Sequence, residues 1–163
     1  RDIIINMKLT SPEMLERIGL SGRDALRIQS PDYHEGLHFD CYGQRITQIQ
    51  GRKRWILFDM SFDTVQEKHS FVMKWWKHTG IDDLASHLSD RGVPYDIVDL
   101  TPGKSLTIPI GRWHQTEGIG DDVSIVVNTE LPCDRDMQKR CDREFETVFP
   151  RQMTACSDND CRY

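Results

Sequence analysis

Short β-branched runs with alternating apolar and polar positions recur along the chain, each bounded by turn residues, as strands half-buried on a sheet require. The first group covers Ile3 to Leu9, Ala25 to Gln29, Leu37 to Asp40, Gln44 to Gln50 and Lys53 to Phe58. The second covers Tyr95 to Leu100, Ser105 to Ile110, Trp113 to Glu117 and Val123 to Asn128, punctuated by Pro102-Gly103, Gly111 and Gly118 through Asp121. Eight or nine short strands predict a mainly β fold, closed as a sandwich or barrel. Between the groups the period changes to that of a helix. Val65, His69, Val72, Met73 and Trp76 share one face of a helix expected over Asp63 to Lys77. A second, shorter helix is expected over Asp82 to Leu88, ended by Gly92 and Pro94, so the two form a helical insertion.

Near the start, Ser11 as N-cap, Pro12 at the first helical position and acidic residues in the first turn predict a short helix over Ser11 to Arg17. After Pro132, Met137, Cys141, Phe145 and Val148 line one face of a charged helix over Asp134 to Phe149. That face either packs on the barrel or meets a second copy, so a homodimer through this helix is the alternative. Residues 151–163 show no regular pattern.

A chain of 163 residues suits one domain with a real core. With 26 acidic and 21 basic residues, no surface can be broadly basic, which argues against duplex nucleic acid as a partner. Arg52-Lys53-Arg54 is the local exception. No apolar run is long enough to span a membrane and no charged-then-apolar leader opens the chain, so a soluble protein of cytoplasm or nucleus is expected. Cys41, Cys133, Cys141, Cys156 and Cys161 show no CxxC spacing, which disfavours structural zinc. The crowding of four of them near the C-terminus suits disulfides in an oxidising compartment and free thiols elsewhere, which leaves a secretory location open.

The candidate chemistry starts at His38-Phe39-Asp40. On a strand, i and i+2 face the same way, so this spacing aims an imidazole and a carboxylate at one point. Two histidines and a carboxylate on one face of a metal is the arrangement of non-heme Fe(II) oxygenases. A lone His-x-Asp is near chance, because 6 histidines among many aspartates supply about one such tripeptide. Support comes from His114, which follows an apolar strand and the Gly111 turn. His34, in an extended or looped segment, and His69, His78 and His87, in the insertion, are not expected to bind metal. Tyr42 and Trp113 are candidates for lining a substrate entrance.

From about Ala25 to Asn128 the chain resembles the JmjC group of the cupin superfamily, oxygenases dependent on Fe(II) and 2-oxoglutarate, and among them the small hydroxylase-like members. Two blocks carry the resemblance. The first is His38-Phe39-Asp40 followed by Gln48, Gly51, Lys53, Trp55, Leu57 and Phe58 at the family's spacing. The second runs from Pro102-Gly103 to Trp113-His114 and is closed by Ser124 to Asn128. The resemblance implies a double-stranded β-helix, the cupin or jelly-roll barrel. It implies that His38, Asp40 and His114 bind iron, that Lys53 grips the distal carboxylate of 2-oxoglutarate, and that Asn128 and Gln44 lie near this co-substrate. A lysine on the inner face of a barrel strand agrees with that role, being costly without an anionic partner. Residues 1–131 then form a JmjC- or cupin-like catalytic domain with an insertion at about 61–92, and residues 132–163 a C-terminal helix and cysteine-bearing tail on the same domain.

The implied activity is that of a 2-oxoglutarate-dependent dioxygenase, a hydroxylase rather than a demethylase, and the acidic balance of the chain leans its substrate toward a peptide or protein side chain, with a small molecule as the alternative. Glu35 departs from the pattern. It stands three residues before His38, where relatives often carry a Thr or Ser that hydrogen-bonds the co-substrate, and its charge would repel a carboxylate. Two other functions share the scaffold: a cupin metalloenzyme whose reaction does not use 2-oxoglutarate, and a non-catalytic JmjC-like binding protein. Lys53 separates the first from the leading reading, and Glu35 with the unusual tail speaks for the second.

Overall fold

The computed structural model describes residues 5–7, 24–76, 80–132 and 135–148. Its strands are β1 (Ile5–Met7), β2 (Asp24–Gln29), β3 (His34–His38), β4 (Gln44–Gln50), β5 (Lys53–Phe58), β6 (Tyr95–Leu100), β7 (Ser105–Ile108), β8 (Trp113–Gly118) and β9 (Ser124–Glu130). They form two antiparallel sheets, five-stranded in the order β1-β2-β9-β4-β7 and four-stranded in the order β3-β8-β5-β6. From β2 onward the chain changes sheet at every connection except β5 to β6. That winding is the double-stranded β-helix, the cupin or jelly-roll barrel. The helices are α1 (Val65–Trp76) and α2 (Ile81–Asp90), inserted between β5 and β6, and α3 (Arg135–Val148) after the last strand.

Two apolar clusters follow from this layering. One fills the barrel between the sheets, with Ile46, Trp55, Leu57, Leu100, Ile108 and Val126. The other lies on the outer face of the four-stranded sheet, where Ile56, Phe58 and Trp113 meet Phe71, Val72 and Trp75 of α1 and Ile81, Leu84 and Leu88 of α2. Because the insertion covers its outer face, β5 is buried on both sides, which is why its sequence from Trp55 to Phe58 is an unbroken apolar run. The backbone N–H of Ile81 donates to the Glu117 carboxylate at 3.1 Å, tying the start of α2 to β8.

Several boundaries and faces differ from expectation. The buried face of α1 is Lys68, Phe71, Val72 and Trp75, while Val65 and Met73 are exposed. The two bulky aromatics bury more area than a Val and a Met, and they turn the helix by about one position. On α3, Gln138 and Cys141 are buried and Met137 is exposed, so Met137 is off the packed face. β3 ends at His38, which leaves Asp40 in the following loop rather than on the strand. β7 stops at Ile108 and β9 extends to Glu130. Cys41 and Cys141 are buried thiols not joined in a disulfide. The helix expected over Ser11 to Arg17, residues 151–163, and Cys133, Cys156 and Cys161 lie outside the described residues.

Two glycines stand where backbone meets backbone closely. Gly51 turns β4 into β5 with φ 70°, and a Cβ there would lie 2.6 Å from the Val123 carbonyl oxygen. Gly118 donates its N–H to the Tyr33 carbonyl at 2.8 Å, and a Cβ on it would fall 1.9 Å from the Pro31 carbonyl oxygen. Gly118→Ala is therefore expected to destabilise the protein by about 3 kcal/mol in urea unfolding, through overpacking of backbone against backbone. A loss below about 1 kcal/mol would mean that the Pro31 loop yields freely.

Candidate metal centre

Residues directly opposite each other on antiparallel strands share a face. His114 of β8 lies opposite Leu57 of β5, which is in the barrel cluster, so His114 points inward. His38 of β3 lies opposite His114 and points the same way. β3 reaches this register through an irregularity: Glu35 faces Thr116 and His38 faces His114, three residues of β3 against two of β8. The bulge brings Glu35 and His38 to one face, where plain alternation would separate them. Asp40 follows in the loop, and its carbonyl accepts the Gly111 N–H at 2.9 Å and the Cys141 thiol at 3.6 Å. The loop is thus held between the turn before β8 and the face of α3.

One donor atom each from His38, Asp40 and His114 lies within 4.8 Å of the others, and among the described residues this is the group able to hold a metal ion. His114 Nε2 is 3.5 Å from Asp40 Oδ2, and the two imidazole centroids are 4.3 Å apart. Each ring is oriented from behind. His38 Nδ1–H donates to the Gly36 carbonyl at 2.7 Å and His114 Nδ1–H to the Arg112 carbonyl at 2.8 Å. A carbonyl only accepts, so Nδ1 carries a proton on both rings, which leaves Nε2 as the atom that a metal would take in place of its proton. Asp40 has its own support, because Gln44 Nε2 donates to its Oδ2 at 2.6 Å and Asn128 Nδ2 donates to Gln44 Oε1 at 2.8 Å.

Charge in the site is strongly coupled. Burial pushes the His114 imidazole toward the neutral form, yet the hydrogen-bonded, negatively charged Asp40 beside it outweighs burial and holds its pKa above the ordinary value. Burial likewise pushes the Asp40 carboxyl up, but its bond to His114 and the charges of His38, His114 and Arg27 bring it down to about 2. An ionised carboxylate beside two oriented imidazoles suits a divalent cation, so the donor set fits a metal.

Lys53 is 1% exposed, with its ammonium 4.8 Å from the Tyr33 ring centre and 5.7 Å from that of Trp55. Burial lowers its pKa to about 8, against the opposing charge of Glu35. Its phase matches Trp55 and Leu57, so it faces the same interior as His114, and the ion pairs among the described residues do not include it. Glu35 Oε1 lies 3.9 Å from His38 Nε2. Burial raises the Glu35 carboxyl, but the charges of His38, Arg27, Lys53 and His114 together hold it below the ordinary value.

The structure brings His38, Asp40, His114, Gln44 and Asn128 into one connected cluster, with Lys53 facing the same interior. Tyr42 is half-buried, and burial followed by the Asp40 charge pushes its hydroxyl pKa up. Trp113 is not brought to the site: it precedes inward-facing His114 and turns to the outer face, packed edge-on against Phe39 at 4.7 Å. His87 packs against Phe71 and Trp75 in the insertion. Sequence reasoning missed Arg27 and Tyr33. Arg27 could have been found from its β2 phase, two residues from Ala25 and Gln29 on the same face; Tyr33 precedes its strand and carried no signal.

A double-stranded β-helix with an inward His-x-Asp and a distant His defines a cupin-like protein with a site able to hold a metal. The chain is similar in part to several known proteins. The proteins named HSPB1-associated protein 1 of Bos taurus and of Homo sapiens are each 32% identical over 140 residues, 80% of this chain and 28% of theirs. The chain therefore spans little more than a quarter of the length of these relatives. A cupin superfamily protein of Desulfitobacterium hafniense DCB-2 superposes with TM-score 0.42 at 14% identity, over 79% of this chain and 78% of that one. No protein-family profile matches the chain. Among the described residues no helix is long and apolar enough to cross a membrane.

Proposed function

We propose that the chain is an Fe(II)- and 2-oxoglutarate-dependent dioxygenase that hydroxylates a peptide or protein side chain. The observation that carries this reading is Lys53: a buried ammonium that forms no ion pair within 4.0 Å among the described residues, inside the barrel that holds the His-Asp-His group. Such a charge is expensive to keep dry unless a ligand anion pairs with it. A dicarboxylate that reaches from the metal site to Lys53 supplies that partner through charge-assisted hydrogen bonds.

In this reading His38, Asp40 and His114 hold the metal through two Nε2 atoms and a carboxylate oxygen. Lys53 fixes the distal carboxylate, Gln44 aims Asp40, and Asn128 holds the Gln44 amide in place. The barrel cluster around Trp55, Leu57 and Val126 keeps water from the inner end of the pocket. When bound, iron and 2-oxoglutarate together supply dioxygen activation, one oxygen atom going to a substrate C–H bond and the other to succinate, with carbon dioxide released. The name of the relatives, which refers to association with a protein, supports a protein over a small molecule as substrate.

The test is iron-dependent succinate release from 2-oxoglutarate under air, after anaerobic loading with Fe(II), in the presence of a library of peptides. A product heavier by one oxygen is expected, whereas loss of a methyl group would indicate demethylation. Absence of both succinate and 2-oxoglutarate binding overturns the reading. A further expected result concerns the support of Asp40. Gln44→Leu removes the donor to Asp40 and leaves the Asn128 amide without its acceptor, so metal affinity should fall about 10–100-fold. Unchanged affinity in a competitive chelator titration would show that Asp40 needs no such support.

A further inference from the structure

Four charged side chains lie at the candidate metal site, and with both imidazoles neutral, as metal ligands are, their signs cancel. Asp40 and Lys53 are two of them. Glu35 is the third, turned inward by the bulge of β3, with Oε1 3.9 Å from His38 Nε2. Arg27 is the fourth. It lies opposite Val126 on β9, and Val126 is 2% exposed within the barrel cluster, so the Arg27 side chain leaves its strand on the inner face. Its charge acts on Tyr33, Glu35, Asp40, Tyr42 and Lys53, which surround the interior from β3, β5 and the loops beside β3. Glu130 shares the phase of Asn128 but is exposed at the end of β9.

With Lys53 alone, Glu35 would neutralise the anchor and Asp40 would leave the protein side of the pocket negative, a poor host for an anion. Arg27 restores neutrality. A divalent metal then makes the pocket doubly positive, and a dicarboxylate returns it to zero. We propose that Arg27 is a co-substrate-binding residue, the second cation of the pocket, whose charge compensates Glu35 so that the site retains a dicarboxylate. The proposal rests on the 2-oxoglutarate reading above and names a residue that reading did not use.

The test is calorimetric titration of 2-oxoglutarate into the Mn(II)-saturated chain, for the unaltered protein, Arg27→Gln, Glu35→Gln, the double variant and Arg27→Lys. Arg27→Gln should weaken binding about tenfold or more and Glu35→Gln should tighten it about tenfold, by loss or gain of one charge-assisted interaction. The double variant, with the pocket charge restored, and Arg27→Lys, which keeps the cation, should both bind within about threefold of the unaltered protein. Arg27→Gln binding as tightly as the unaltered protein, or Glu35→Gln binding more weakly, overturns the proposal. Should the unaltered protein not bind 2-oxoglutarate at all, the functional reading fails. The pair is then judged on the melting temperatures of the metal-free variants. Arg27→Gln must cost more stability with Glu35 present than with Gln at 35, and equal costs reject the compensation.

Discussion

Replacing Lys53 with methionine is expected to weaken 2-oxoglutarate binding by about a hundredfold or more and, at the same time, to stabilise the ligand-free protein. The two effects share one cause. Burial holds the Lys53 pKa near 8 against an ordinary 10.5, so the folded state resists its charged form. At pH 7 the ammonium is charged in both states, and the shift corresponds to a cost of about 3 kcal/mol to the fold. Methionine fills similar space without the charge, and the lost contacts with the Tyr33 and Trp55 rings return about 1 kcal/mol of that gain. A net rise of about 2 kcal/mol should lift the melting temperature by several degrees.

The pH dependence follows with a definite sign. The cost is fully present below pH 8 and fades as pH rises toward 10.5, because there the unfolded chain holds the proton that the folded chain has lost. The unaltered ligand-free protein should therefore gain on Lys53→Met across that window, and the difference between them should shrink. If Lys53→Met is destabilising at pH 7 and the gap does not narrow with pH, the ammonium has a structural partner and the anchor role loses its basis.

The second large effect concerns the metal. A divalent ion bound only by the folded state stabilises it by about 4 kcal/mol when present at a thousand times its dissociation constant. Asp40→Ala removes the anionic donor and leaves Gln44 Nε2 without its acceptor, so this metal-dependent gain should fall below about 1 kcal/mol. His114→Ala should behave in the same way, because His114 and Asp40 hold their donor atoms 3.5 Å apart. Thermal unfolding with and without Mn(II) measures both. Equal metal-dependent stabilisation in the variants and the unaltered chain would place the ion elsewhere.

Much of this site could be read before any coordinates. Strand phase alone put Lys53 with Trp55 and Leu57, and the turn-strand-turn before His114 placed that imidazole at the start of a strand. Asp40 lies with His38 and His114, but not for the reason that i, i+2 spacing on a strand suggests. Its position comes from a loop pinned at its carbonyl by Gly111 and Cys141, not from continued strand alternation. The same bulge explains why the orientation of Glu35 was hidden: three residues before His38, simple period-two counting sends it outward, and only the pairing with Thr116 turns it in. Trp113 shows the opposite failure, since alternation from His114 already sends it to the outer face, where the insertion covers it. On α1, apolar spacing was satisfied by two overlapping stripes. Packing of Phe71 and Trp75 onto the sheet chose between them, and no local pattern carries that information.

Anomalous X-ray diffraction from crystals of the protein grown with Mn(II) and 2-oxoglutarate would locate the ion and the anchored carboxylate together. One manganese peak is expected at bonding distance from His38 Nε2, His114 Nε2 and an Asp40 carboxylate oxygen, with the 2-oxoglutarate keto-acid end on the metal and its distal carboxylate on Lys53. Manganese bound away from these three residues, or a dicarboxylate that leaves Lys53 without an anion, would contradict the proposed site.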